Sequence, residues 1–242
     1  MRDYQKEFES RVAFIRDLVA KSGAKGIVYG NSGGKDSALV GILCKAACDN
    51  TVGILMPCSS AQNFGADLSD GKAVAEQYGI ETRMIDLTPV RSAMAEALSP
   101  VTDITDAALA NIAPRLRMTA LYTVAGSEGR LVAGTGNRSE AYMGYFTKWG
   151  DGAHDFNPIA DLTVTEVYEF LAFLDAPESI RTKAPSAGLF EGQTDEAEMG
   201  ISYAAIDKFL LTGEASAEDK AILDRFHSVS EHKRRPIAVY PG

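Results

Sequence analysis

Short apolar runs alternate along this chain with longer segments in which apolar residues recur at helical spacing. The short runs predict four β-strands and the longer segments predict α-helices. The predicted strands are residues 26–29, 52–56, 81–86 and 131–133, and the clearest helices are 37–47, 67–78, 103–126 and 163–174. Strands that alternate with helices form parallel sheets covered on both faces. The pattern therefore predicts an α/β fold, a doubly wound parallel sheet with helices on both faces.

The composition is that of an ordinary globular chain, and it excludes several function classes. With 242 residues, of which 45% are hydrophobic, the chain can bury a sizeable core. The formal net charge of −9 argues against a protein that coats nucleic acid, because that role needs a basic face. No apolar run approaches the ~18 residues of a membrane span, and the polar start resembles no signal peptide. We therefore predict a cytoplasmic protein with neither nucleic-acid nor membrane partners.

The segment 30–37 follows the first predicted strand and opens a helix. Backbone N–H groups and the helix dipole favour an anion at such a place, and paired glycines let the backbone approach a phosphate. The segment matches neither the Walker A motif nor G-x-G-x-x-G. An aspartate would repel phosphates unless a metal lies between them, so Asp36 is a predicted Mg²⁺ ligand. The plainer alternative is a strand-to-helix turn with flexible glycines. The segment consists of Gly30, Asn31, Ser32, Gly33, Gly34, Lys35, Asp36 and Ser37.

The segment 134–140 follows the fourth predicted strand, and two interpretations of it are open. It superficially resembles the G-x-G-x-x-A turn of dinucleotide-binding folds. Alternatively it is a second loop at the carboxyl edge of the sheet, facing the first, since open parallel sheets gather ligand contacts there. In that arrangement Glu140 could share the metal with Asp36.

The run Ser32-Gly33-Gly34-x-Asp36-Ser37 resembles the signature of the ATP pyrophosphatases, which split ATP to AMP and pyrophosphate. That signature is shared by NAD, GMP and asparagine synthetases and by tRNA-modifying enzymes. Later segments narrow the choice, because their order and spacing resemble the NAD synthetase family over most of residues 26–236. These segments are 134–140, 144–152, 155–159, 185–196 and 231–234.

The resemblance implies a single domain over 1–242 with an adenine nucleotide hydrolase-like fold. It would begin with a helix at 1–22 and carry a mobile loop at 183–195, whose composition is that of a functional lid. The implied reaction is the ammonia-dependent amidation of deamido-NAD, with ATP as co-substrate and Mg²⁺ as cofactor. Members that use glutamine carry an additional glutaminase domain, for which 242 residues are too few. We therefore expect free ammonia, or ammonia from a separate protein, as the nitrogen source here. A homodimer is also implied, and the apolar face of the predicted helix 103–126 would either form part of its interface or pack within one subunit.

The resemblance also implies roles for individual residues. Asp36 and Glu140 match the family's catalytic metal ligands. Besides the turn 30–37, Thr135 and Ser186 match residues that contact ATP in the family. Deamido-NAD contacts match Arg115, Lys148, Asp155, His232 and Lys233.

Some of these residues have plainer interpretations, and one position departs from the family. Arg115 could be a surface charge, and His232 with Lys233 could belong to a solvated basic tail. Val164 stands where the family often carries a lysine that contacts ATP. Pro114 is unexpected inside a long helix and should kink it.

Two other functions compete with the synthetase. The first is another adenylating amidotransferase or a tRNA-modifying ATP pyrophosphatase, against which the acidic net charge argues. The second is a regulatory nucleotide-binding module that has lost its chemistry, for which Val164 is the only support.

Overall fold

Four parallel strands form the centre of the protein in a computed structural model that describes residues 2–185 and 194–241. The strands are β1 (Gly26–Gly30), β2 (Thr51–Leu55), β3 (Glu81–Met84) and β4 (Arg130–Ala133), and they lie in the order β3-β2-β1-β4. All three neighbouring pairs are parallel. The predicted parallel sheet is therefore confirmed, and each strand begins and ends within two residues of its predicted bounds.

Fourteen helices accompany the strands within the described ranges. They are α1 (Tyr4–Ser22), α2 (Lys35–Ala47), α3 (Ala61–Phe64), α4 (Ala66–Tyr78), α5 (Thr88–Leu98), α6 (Asp106–Ala110), α7 (Ile112–Glu128), α8 (Arg138–Met143), α9 (Val164–Phe173), α10 (Glu178–Thr182), α11 (Asp195–Met199), α12 (Tyr203–Thr212), α13 (Ala217–Val229) and α14 (Glu231–Arg234).

The sheet is covered on both faces, as the alternation of elements predicts. Ile27 and Tyr29 belong to a core formed with α1, α2 and α9, whereas Val28 between them belongs to a second core formed with α7. Successive side chains of a strand point to opposite faces, which explains this division. A third apolar cluster joins α8, α9, α12 and α13 beyond the sheet, and the buried Val164 belongs to it.

The predicted helix 103–126 is wrong in its bounds and in its continuity. The structure has the short helix α6 and the longer helix α7, which meet at Asn111. Pro114 is the third residue of α7, where the backbone N–H has no partner within the helix in any case. The proline therefore removes no helical hydrogen bond there, and the expected kink is replaced by a break before it.

The N-terminal helix is fixed to the rest of the chain by packing and by ion pairs. It begins at Tyr4, and Val12 and Ile15 are buried in the first core. The Arg11 guanidinium lies 2.7 Å from a carboxylate oxygen of Asp161, and that of Arg2 lies 2.7 Å from Glu166. In the part of the chain that the structure describes, no helix is long and apolar enough to cross a membrane.

The close approach of α2 to the sheet yields a stability prediction. The Tyr29 ring is fully buried, and a Cβ atom at Gly41 of α2 would lie 2.4 Å from its hydroxyl oxygen. We expect Gly41→Ala to lower the free energy of unfolding by about 1–3 kcal/mol, because the buried ring has no space to move. Urea denaturation measures this change.

Gly126 of α7 is the matched control, since a Cβ atom there meets nothing within 4 Å. Gly126→Ala should leave stability unchanged or raise it by up to about 1 kcal/mol through helix propensity. Equal effects of the two substitutions would contradict the packing account.

Candidate active site

Two strand-to-helix turns face each other at the carboxyl edge of the sheet. The first runs from β1 into α2 and the second from β4 into α8, and β1 and β4 are neighbours. The Asn137 side-chain amide of the second turn donates a hydrogen bond to Asp36 Oδ1 at 3.1 Å. Of the two interpretations of residues 134–140, the structure thus has the second loop that faces the first.

Glu140 is held in place by the way α8 begins. The Asn137 side chain accepts a hydrogen bond from the Glu140 backbone N–H at 3.0 Å, and the Glu140 carboxylate accepts one from the Asn137 N–H at 3.4 Å. This reciprocal arrangement is a capping box, which satisfies two backbone donors at the start of the helix. One residue, Asn137, therefore orients both predicted metal ligands.

The Lys35 ammonium lies between the two carboxylates. Its Nζ atom is 2.7 Å from Asp36 Oδ2 and 3.3 Å from Glu140 Oε1, and the side chain is only 7% exposed. Burial, and next the Asp36 carboxylate, raise the pKa of Glu140 to about 8 against the opposing effect of Lys35. Burial alone would lower the pKa of Lys35, but Asp36 and Glu140 outweigh it and the pKa is raised. A cation is therefore strongly favoured between these carboxylates.

A pocket of about 880 Å³ opens above the two turns, and most of the predicted ATP residues line it. Gly33 is the exception within the first turn, and its role is conformational. Its φ angle is +69°, and a Cβ atom there would lie 2.0 Å from the Asp67 carbonyl oxygen, so only glycine fits. The predicted residues that line the pocket are Gly30, Asn31, Ser32, Gly34, Lys35, Asp36, Ser37, Thr135, Glu140 and Lys233. Ser186 lies outside the described residues.

Four of the five predicted dinucleotide residues come together near Lys233. The Lys148 ammonium donates to the His232 carbonyl at 2.7 Å, and the Arg115 guanidinium lies 3.5 Å from the Lys148 carbonyl. The Lys233 ammonium donates to the carbonyl oxygens of residues 144 and 146 at 2.7 and 2.6 Å. These contacts show that Lys233 is anchored on the protein and does not belong to a solvated tail.

The fifth, Asp155, lies outside the pocket lining, as do Arg115, Lys148 and His232. Its carboxylate accepts hydrogen bonds from the Val132 backbone N–H at 2.8 Å and from the Tyr122 hydroxyl at 3.2 Å. In this chain Asp155 therefore joins β4 to α7.

Lys183 is a pocket residue that sequence reasoning missed. Its ammonium lies 2.7 Å from carboxylate oxygens of both Asp67 and Asp70, and 3.1 Å from the Gly33 carbonyl oxygen. The first residue of the predicted loop 183–195 is thus attached to the first turn. No spacing signal could reveal this contact, because Lys183 and Asp67 are 116 positions apart in sequence.

Asp195, Tyr203 and Arg117 also escaped the sequence analysis. The Tyr203 hydroxyl donates to Asp195 Oδ2 at 3.0 Å, and its ring lies 5.7 Å from the Lys35 ammonium. Arg117 lines the pocket from α7, two residues after the arginine that the sequence singled out.

A glycine-rich turn and paired carboxylates at the carboxyl edge of a parallel sheet define the class of ATP pyrophosphatases. Comparison with known proteins narrows this class. The family model described as NAD synthase matches residues 7–238, so the chain belongs to that family.

Curated relatives and solved structures agree with this family. The NH₃-dependent NAD⁺ synthetase of Carboxydothermus hydrogenoformans is 46% identical over 236 residues, covering 96% of each chain. That of Pyrococcus furiosus is 39% identical over 244 residues, covering 94% of this chain and 93% of the relative. The structure of NMN synthetase from Francisella tularensis is 35% identical, with a TM-score of 0.94 and full coverage of both chains. The NH₃-dependent NAD synthetase from Campylobacter jejuni is 30% identical with a TM-score of 0.79, covering 99% of this chain and 100% of that one.

The two capping boxes of the chain allow a matched test of Asn137. Thr163 and Glu166 form the same motif at the start of α9, and in the described part of the chain Thr163 makes no hydrogen bond to Asp36. We expect Asn137→Ala and Thr163→Ala each to lower the free energy of unfolding by about 1 kcal/mol through the lost cap.

Only Asn137→Ala should also lower the synthetase turnover of the folded enzyme, because only Asn137 orients both carboxylates. Steady-state kinetics at a temperature where both variants remain folded measures the difference. Equal turnover in the two variants would contradict the role of Asn137 in orienting the two carboxylates.

Proposed function

We propose that this protein is an ammonia-dependent NAD synthetase, acting as a cytoplasmic homodimer of one domain over 1–242. The nicotinate carboxylate of deamido-NAD attacks the α-phosphate of ATP, and pyrophosphate leaves. Ammonia then attacks the carbonyl carbon of the adenylate, and AMP leaves to give NAD. The observation that carries this proposal is the match of residues 7–238 to the NAD synthase family.

The site is suited to this chemistry because it brings two anionic substrates together. A carboxylate is a poor electrophile until one of its oxygens becomes part of a good leaving group. The new bond between that oxygen and the α-phosphorus of ATP achieves this, because AMP can then leave with the oxygen. The protein contributes chiefly positioning and charge. The turn 30–37 directs backbone N–H groups towards the ATP phosphates, with Thr135 and Ser186 as further contacts. The nicotinate-bearing substrate extends towards the basic residues, which are Arg115, Lys148, His232 and Lys233, with Asp155 as a further candidate.

Asp36 and Glu140 are the residues that would hold Mg²⁺. They fit this ion because their carboxylate oxygens are the hard ligands it prefers, and because a cation, the Lys35 ammonium, already lies between them. Among the described residues no group of three or more His, Cys, Asp or Glu side chains is suited to a metal. Phosphate oxygens and water would complete the coordination. When bound, the ion would screen the negative charge that the reaction gathers at the α-phosphate.

The proposed homodimer is supported by apolar side chains left exposed at one side of the sheet. Met84 at the end of β3 is 60% exposed, and Val90 and Met94 of α5 are 47% and 44% exposed. Helix α7 buries only three of its residues, Ala113, Pro114 and Ala125.

The predicted lid 183–195 is a further part of the proposal, and Lys183 would be its anchor.

A second candidate is an NMN synthetase, which would amidate nicotinate mononucleotide by the same chemistry. The observation that favours it is the TM-score of 0.94 to the NMN synthetase structure, against 0.79 to the NAD synthetase from Campylobacter jejuni. Both candidates need the same ATP site and differ in the acid that is amidated.

Product analysis separates the candidates. The purified protein is incubated with ATP, Mg²⁺, ammonium and either deamido-NAD or nicotinate mononucleotide, and each component is omitted in turn. We expect NAD, AMP and pyrophosphate only in the complete deamido-NAD mixture. Preferential formation of NMN would favour the second candidate. AMP and pyrophosphate without an amide would assign a different acceptor, and no ATP turnover would favour the regulatory module.

The proposed metal role predicts the effect of Asp36→Asn. This substitution removes one of the two charged ligands with little change in size, so turnover should fall by about 100-fold or more. Circular dichroism should show an intact fold. Asp49→Asn is the control, because the Asp49 side chain is fully exposed and pairs only loosely with Lys45 at 3.8 Å. Near-normal turnover of Asp36→Asn would exclude the metal role.

A further inference from the structure

Arg117 of α7 lines the pocket, and two hydrogen bonds fix its guanidinium. Its Nε donates a hydrogen bond to the Met56 carbonyl at 3.1 Å, and its Nη2 donates one to Asn63 Oδ1 at 3.1 Å. Both acceptors are neutral. A guanidinium has five N–H donors in a fixed fork, so these two bonds leave donors for a further partner.

Two other shielded arginines of the chain, Arg11 and Arg130, are paired with carboxylates. Arg11 lies 2.7 Å from oxygens of Asp161 and Glu7, and Arg130 lies 2.6 Å from Glu128. Within the described ranges Arg117 has no carboxylate at ion-pair distance, and Asp151 and Asp67 act on it only through space. Burial lowers the pKa of Arg117. Its charge is thus shielded from water without a direct counter-ion, an unfavourable arrangement that a bound anion would relieve.

The charges of the pocket are divided between its two ends. Asp36, Glu140 and Asp195 influence one another around Lys35 at the end proposed for the metal. At the other end, Arg117 and Lys233 both lie within the electrostatic influence of Asp151, and Asp67, which also acts on Arg117, is paired with Lys183. The first end therefore has an excess of negative charge and the second an excess of positive charge. A substrate anion is favoured at the second end.

We propose that Arg117 binds an anionic oxygen, of a phosphate or a carboxylate, on one of the two substrates. This inference rests on the proposed function, because ATP and the nicotinate-bearing substrate are the anions in question. The hydrogen bonds to Met56 and Asn63 hold the planar guanidinium so that its remaining N–H groups are available to the ligand. Arginine suits this position better than lysine, whose ammonium has no such fork.

Equilibrium binding to Arg117→Gln tests the proposal without turnover. Each ligand is titrated alone by calorimetry, and the four ligands are ATP, adenosine, deamido-NAD and NAD. We expect the affinity for ATP or for deamido-NAD to fall by about tenfold or more, as for the loss of a charge-assisted hydrogen bond. Adenosine should bind unchanged, because it carries no anion.

The pattern of losses identifies the anion. A loss confined to ATP assigns a phosphate of ATP. A loss shared by deamido-NAD and NAD assigns a phosphate of the dinucleotide, whereas a loss for deamido-NAD alone assigns the nicotinate carboxylate. Because no product is formed, these results stand even if product analysis changes the proposed reaction.

Arg16→Gln in α1 is the matched control, since the Arg16 guanidinium donates to the Ala46 carbonyl of α2 at 2.9 Å and, among the described residues, Arg16 is not part of the pocket lining. It should leave all four affinities unchanged. Unchanged affinities in Arg117→Gln would overturn the proposal, and so would an equal loss for adenosine and ATP, which would mean that Arg117 only shapes the pocket through Met56. If Arg117→Gln does not fold, Arg117→Lys is judged by the same criteria.

Discussion

The Lys35 ammonium between Asp36 and Glu140 is the interaction on which the architecture of the site depends. It joins two turns that are about a hundred residues apart in sequence but adjacent in space, because β1 and β4 are neighbours in the sheet. Without a cation, two shielded carboxylates would repel each other across this edge. Asn137 adds a neutral contact to the same pair, so both carboxylates have fixed positions before any substrate binds.

The division of charge across the pocket explains how one site could receive two anions. The negative end around Lys35 is suited to a cation that accompanies ATP, and the positive end around Lys233 and Arg117 is suited to an acid substrate or a phosphate. Val164 is consistent with this division. Its side chain is buried in the third apolar cluster and does not line the pocket, whereas the ammonium groups of Lys35 and Lys183 do.

Much of this arrangement could be predicted from sequence, and the exceptions share a physical cause. Asp36 and Glu140 could be placed together because both follow strands of one parallel sheet, whose carboxyl ends meet at one edge. The break at Asn111 could not be predicted from periodicity, since its side chain accepts a hydrogen bond from the Thr147 hydroxyl at 2.5 Å, a tertiary contact. The pairing of Lys183 with Asp67, and the neutral hydrogen-bond partners of Arg117 within the described ranges, likewise depend on residues far apart in sequence.

Anomalous diffraction from crystals grown with Mn²⁺ and a non-hydrolysable ATP analogue tests the central claim most directly. The claim is that the two turns form one site for a metal and a nucleotide. We predict an anomalous peak at ligand distance, about 2 Å, from carboxylate oxygens of both Asp36 and Glu140, with the Lys35 ammonium displaced from at least one of them. A peak held by the phosphates alone, or one remote from Asp36 and Glu140, would contradict the account.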